Sequence, residues 1–170
     1  MLTIRNNVFE TNSSSTHGIA IEVYGAFYQR IECDYNVNLE NDTLTINGYD
    51  FSRFDFCICS VEEKISLCLM LLMIFKIDTI EFIDFIKQKT GAKNVINNIK
   101  FMENAFITTE IINDTFRLDS RIRKGISKDN DNDDDDYDCA TLADILDDYK
   151  VLEIFIFGKN VQLTVGDISC

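Results

Sequence analysis

The 170-residue chain contains no proline and no tryptophan, one histidine and seven glycines. Without proline, turns fall to Gly and Asn, and Asn47-Gly48, Thr90-Gly91 and Phe157-Gly158 are where they are expected. Basic residues are scarce: 16 Lys and Arg face 29 Asp and Glu, a formal net charge of −13. That excess repels phosphates, so direct nucleic-acid binding is not expected, and partners with a basic surface are favoured. Long apolar runs are missing too. Ile65 to Phe75 is apolar almost throughout but spans only eleven residues, where a bilayer crossing needs about 20. Membrane insertion is therefore not expected. The six cysteines, Cys33, Cys57, Cys59, Cys68, Cys139 and Cys170, match no metal pattern. Cys57-Ile58-Cys59 is C-x-C rather than C-x-x-C, and no second pair completes a zinc set. No cofactor and no metal are expected, and no signal peptide is evident, so the cysteines read as reduced cytoplasmic thiols.

What is present points to a packed interior. Hydrophobic residues make up 46% of the chain and 13 are Phe, and the length suits one domain over residues 1–170. Ser60-Val61-Glu62-Glu63 is a capping box that opens a helix into the Ile65–Phe75 run. A helix apolar on all sides belongs in the core. Asp78-Thr79-Ile80-Glu81 opens a second helix, ended by Thr90-Gly91. Thr141-Leu142-Ala143-Asp144 opens a third. Val151 to Phe157 has strand-like composition but can also continue that helix. Ile19 to Tyr24 reads as a strand, and Val161 to Val165 alternates as a final one. Leu44-Thr45-Ile46 followed by Asn47-Gly48 predicts a hairpin with Tyr49-Asp50-Phe51. Val95-Ile96 fits strand or short helix; Phe106–Ile112 and Thr115–Leu118 read as strands. The expected fold class is α+β: a small, mainly antiparallel sheet, a central buried helix on one face, and two or three further helices. The last strand is expected beside the early ones, with both ends of the chain on one sheet.

The segment Arg5-Asn6-Asn7-Val8-Phe9-Glu10-Thr11-Asn12-Ser13-Ser14-Ser15-Thr16-His17 holds the only histidine, a run of hydroxyls, a carboxylate and an arginine. Thr11 to Gly18 lacks any large apolar side chain. Ser, Thr and Asn bond their own backbone, which predicts a structured polar loop entering the Ile19 strand. Three readings compete. Ser13, Ser14 or Ser15 could act as a nucleophile with His17 as base and Glu10 orienting the ring, although no G-x-S-x-G elbow supports this. Arg5, Asn12, Thr16 and the hydroxyls could form a binding surface for an anion or a partner. Or the hydroxyls satisfy backbone groups in a tight loop, and His17 bonds a carboxylate or carbonyl.

The same motif, R-N-x-V-F-E-T-N-S-S-S-T-H, resembles the opening of a group of small uncharacterised proteins of bacteriophages and Firmicutes. In that group it continues with Ser and a short apolar strand; here Gly18 takes the Ser position and Ile19-Ala20-Ile21 follows. The resemblance covers about a tenth of the chain. It implies a phage or mobile-element origin, with the host cytoplasm as location, and a functional role for Arg5, Glu10, Asn12, Ser13, Ser14, Ser15 and His17. It supplies no reaction.

Residues 127–139 read as an acidic, solvated loop, because seven Asp fall within Asp129–Asp138 and like charges self-repel. Asp129, Asp131 and Asp133 have the spacing of a calcium loop. Asp134 stands where that loop requires Gly, and Ala140 where it requires Glu, so calcium is not expected. Asp133, Asp134, Asp135 and Asp136 can instead present charge to a basic groove. The leading expectation is an acidic, phage-type binding or inhibitory protein that engages a host protein, such as a nucleic-acid-handling or defence enzyme. The alternatives are a small hydrolase or transferase using Ser13–Ser15 and His17, and a structural or assembly protein. Composition leaves the oligomeric state open.

Overall fold

The structure, a computed structural model, describes residues 15–24, 31–48, 56–74, 76–99, 116–119, 122, 137–140 and 142–169. In chain order these form β1 (Ser15–Val23), β2 (Thr43–Asn47), β3 (Phe56–Ile58), α1 (Val61–Ile74), α2 (Ile80–Thr90) and β4 (Asn94–Asn98). Then follow β5 (Phe116–Asp119), β6 (Tyr137–Ala140), α3 (Leu142–Asp147), α4 (Tyr149–Phe157) and β7 (Val161–Ser169). The architecture is α+β.

The main sheet has the order β3-β7-β1-β5-β6. β7 runs antiparallel to both β1 and β3, and β6 antiparallel to β5; β1 and β5 are parallel. The early and final strands are thus neighbours, paired from Ser15↔Ser169 to Val23↔Val161. Side chains alternate across a strand, and Ile21, Val23, Ile58, Leu118, Val161 and Leu163 are all buried. A second sheet pairs β2 with β4 in parallel, Leu44 opposite Val95. Val95-Ile96 is therefore strand. The Tyr49-Asp50-Phe51 arm of the expected hairpin lies outside the described residues, as does Phe106–Ile112.

α1 is the buried helix. The capping box forms as its sequence requires: the Glu63 N–H donates to Ser60 Oγ at 3.2 Å, and the Ser60 N–H to Glu63 Oε2 at 3.3 Å. Nine consecutive residues, Lys64 to Leu72, are buried, because α1 packs on α4 and on β2. Ser66 Oγ donates to the Asn47 carbonyl at 2.7 Å and ties α1 to the end of β2. α2 ends at Gly91, whose φ of 74° is the left-handed conformation that closes a helix, with its N–H on the Lys87 carbonyl. Among the described residues no helix is long and apolar enough to cross a membrane.

Val151–Phe157 is helix despite its strand-like composition. Asp148 leaves helical geometry (φ −97°, ψ 95°) and its carboxylate accepts from the Lys150 and Val151 N–H groups. This cap starts α4 as a new helix, and its apolar residues then fit between β7 and α1. Burial against neighbours outweighs intrinsic β preference there. Two expected boundaries need correction. Ser15, Thr16, His17 and Gly18 belong to β1 rather than to a polar loop, because β7 extends to Ser169 and offers each of them a ladder partner. Tyr137, Asp138 and Cys139, expected in the 127–139 acidic loop, are strand, paired with Asp119, Leu118 and Arg117.

Candidate functional site

Of the residues singled out in the opening motif, Ser15, Thr16 and His17 lie on β1, where His17 stands directly across from Asp167 and Ser15 from Ser169. Arg5, Glu10, Asn12, Ser13 and Ser14 lie outside the described residues, and so do Asp133, Asp134, Asp135 and Asp136. Among the described residues, the carboxylate residue that the fold brings opposite His17 is Asp167, from the far end of the sequence. Local spacing could not have found it.

Two other places carry polar chemistry. The first is Lys64, in the opening turn of α1 and only 1% exposed. Its ammonium donates to the Val161 carbonyl at 2.5 Å and lies 5.9 Å from the centroid of the Phe155 ring. Burial disfavours its charge and brings its pKa down from 10.5 to about 8. Nearby cysteines oppose that, Cys59 first and then Cys68, Cys57 and Cys33. Lys64 lines neither described cleft. It therefore acts as a tie between α1 and β7.

The second is a cleft of about 440 Å³ where the α1–α2 connection meets α3 and α4. Leu72, Phe82, Leu146 and Leu152 make its apolar wall, with Ile77 at the mouth. Asp78, Glu81, Asp147 and Tyr149 supply the polar groups, and no Lys or Arg is among the described lining residues. Each comes from a specific local device. Asp78 sits ahead of α2 and accepts the Ile80 N–H at 3.0 Å. Glu81 lies in the first turn of α2, where the helix dipole favours a carboxylate. The Asp148 cap turns the chain between α3 and α4, which sets Asp147 and Tyr149 at the same opening. Tyr149 packs its ring on Phe85, centroids 5.3 Å apart, and donates its hydroxyl to Glu81 Oε2 at 3.4 Å. Its phenol is held above the ordinary pKa by burial first and then by Glu81.

Large apolar groups also reach solvent here: Ile77 is 49% exposed, Tyr149 44% and, beside the cleft, Ile80 62%. A pocket with an apolar floor and a rim of one charge is the form that small or peptide ligands occupy. Each rim residue reads as an ordinary helix-terminus residue in the sequence. Only the packing of α2 against α3 and α4 gathers them.

A second cleft, about 390 Å³, runs beside β2 and is lined by Asn38, Glu40, Thr43–Asn47, Glu62 and Ile65. It is the more polar of the two and exposes no large apolar side chain. Comparison with family models, curated proteins and solved structures finds no match for this chain.

Proposed function

We propose that this is an acidic binding protein that engages a host protein through the cleft between α2 and the α3–α4 pair. In this reading an apolar anchor of the partner enters against Leu72, Phe82, Leu146 and Leu152. Lys or Arg residues beside that anchor meet Asp78, Glu81 and Asp147. The observation that carries the reading is the meeting of exposed apolar surface with a rim that holds carboxylates and no described cation. The net charge of −13 adds long-range attraction for a basic surface. The opening motif's resemblance to phage proteins makes an inhibitory role fit, with a nucleic-acid-handling or defence enzyme as the partner class whose basic surface suits this charge.

The test compares the protein with a Glu81→Lys, Asp147→Lys double variant as bait in host lysate, at low and high salt. A specific basic protein is expected on the unaltered bait at low salt. Its capture should fall by about tenfold on the variant, since two exposed rim charges at about 0.7 kcal/mol each amount to that. Salt should weaken capture too, because exposed charges are screened beyond about 8 Å at physiological ionic strength. Equal capture by both baits, or no basic partner at low salt, refutes the reading.

A further inference from the structure

The C-x-C pair sits where β3 hands over to α1. Cys57 is in β3, the edge strand of the main sheet, and Ile58 between the two cysteines faces the core. Cys59 follows the strand and precedes the Ser60 cap. Two residues apart on extended backbone, the cysteines share one side, both are exposed, and their Sγ atoms lie 2.9 Å apart. A hydrogen bond between the sulfurs joins them, and either can donate. Cys59 Sγ also lies 3.5 Å from Gln162 Oε1. Thr164, Glu63, Lys64 and Tyr24 complete the electrostatic surroundings of the pair.

This arrangement suits one chemistry better than another. Among the described residues no group of three His, Cys, Asp or Glu side chains could hold a metal ion, so a zinc-type set is not built here. A disulfide needs less. Two residues of strand span about 6.6 Å between Cα atoms, at the upper end of the roughly 4.4–6.8 Å that disulfides bridge. The ring so closed is tight, and strained, exposed disulfides are the readily reduced ones. It would be an exchangeable bond rather than a structural staple.

We propose that Cys57 and Cys59 form a dithiol–disulfide exchange site that reacts with low-molecular-weight disulfides of the glutathione type. The Cys57 thiol is pushed up to about 12 by partial burial, then by its bond to Cys59 and the charges of Cys59 and Glu63. The first step is assigned to Cys59 because it lies beyond the end of β3 and is exposed, whereas Cys57 is held within the strand. The Cys59 thiolate attacks one sulfur of the small disulfide, forming a mixed disulfide and expelling one thiolate, which takes a proton from water. Cys57 then gives its proton to solvent and attacks Cys59 Sγ. The Cys59 bond to the small molecule breaks, and a second thiolate leaves and is protonated. Two protein thiols become one disulfide, and the small disulfide is reduced to two thiols.

The experiment treats the full chain with oxidised glutathione, quenches with acid, alkylates free thiols and maps products by mass spectrometry. A Cys57–Cys59 disulfide is expected before adducts appear on Cys33 or Cys68. Cys57→Ser should trap one glutathionyl group on Cys59, with its release slowed by more than about tenfold. The reason is that a tethered thiol acts at an effective concentration of about millimolar or more. Cys59→Ser should slow the first step by a similar factor. Phenylarsine oxide, a probe for paired thiols, should bind at Cys57 and Cys59 and protect both. Separate adducts on Cys57 and Cys59 without an internal disulfide, or faster reaction at Cys33, would overturn the proposal. So would a Cys57→Ser variant that keeps its circular dichroism and releases glutathione at the unaltered rate.

Discussion

Replacing Lys64 by Met tests how this fold accommodates a charge in its core. The unfolded chain holds the Lys64 proton up to about pH 10.5, whereas the folded chain releases it near 8. Between those values the unfolded state binds more protons, so the Lys64 contribution to stability rises with pH. Below about 8 both states are protonated and the burial penalty is complete. At ~1.36 kcal/mol per pH unit, the drop from 10.5 to about 8 corresponds to about 3 kcal/mol. Met fills a similar volume without charge. It also leaves the Val161 carbonyl without its Lys64 donor, which gives back about 1–2 kcal/mol. Lys64→Met is therefore expected to be more stable by about 1–2 kcal/mol at pH 7, and its melting temperature higher by about 2–8 °C. Urea unfolding of both proteins at intervals from pH 7 to 10.5 measures this. Taking the difference between the two cancels the other groups that titrate in that range. The advantage of Met should shrink above pH 8, vanish at about pH 9–9.5, and reverse to a deficit of about 1–2 kcal/mol by about 10.5, where only the lost bond to the Val161 carbonyl remains. A constant difference across the range, or a less stable variant at pH 7, would refute the argument.

Gly158→Ala should destabilise by about 1–3 kcal/mol in urea unfolding, because an added Cβ would stand 2.3 Å from the Ile154 carbonyl oxygen and 2.7 Å from Val161 Cγ2. Asp148→Ala removes the Oδ1 that accepts both the Lys150 and Val151 N–H groups at the start of α4 and should lower stability by about 1 kcal/mol, read as a lower thermal midpoint. Leu44→Ala and Thr45→Ala form a matched pair on β2. The buried Leu44 should lose about 2–5 kcal/mol, and the exposed Thr45 under about 0.5.

The elements whose causes are local are legible in the sequence. Ser60 and Glu63 announce α1 because a capping box satisfies two backbone donors within one turn. Gly91 announces the end of α2 because its residue type suits a left-handed φ. The apolar run after Lys64 placed α1 in the core, since no face of it could meet water at low cost. Alternation over Val161–Val165 identified β7. Composition alone also set the acidic character, and hence the class of partner the charge favours.

Tertiary structure decided what depends on distant neighbours. Ser15–Gly18 extends β1 because β7, from the far end of the chain, supplies ladder partners that no local signal reveals. Val151–Phe157 is helix because a cap and the space between β7 and α1 outweigh its β-branched and aromatic content. Lys64 is buried because α1 packs on α4 and β2, where the Val161 carbonyl, 97 residues away, accepts its N–H, although its place after Glu62 and Glu63 reads as an ordinary charged helix start. Glu81, Asp147 and Tyr149 become one rim only when α2 packs beside α3 and α4. Dihedral preference and capping act within a few residues and are written into the order of the chain. Contact between segments is set by the packing of the whole, so the cleft and the buried charge emerge only when the chain is folded.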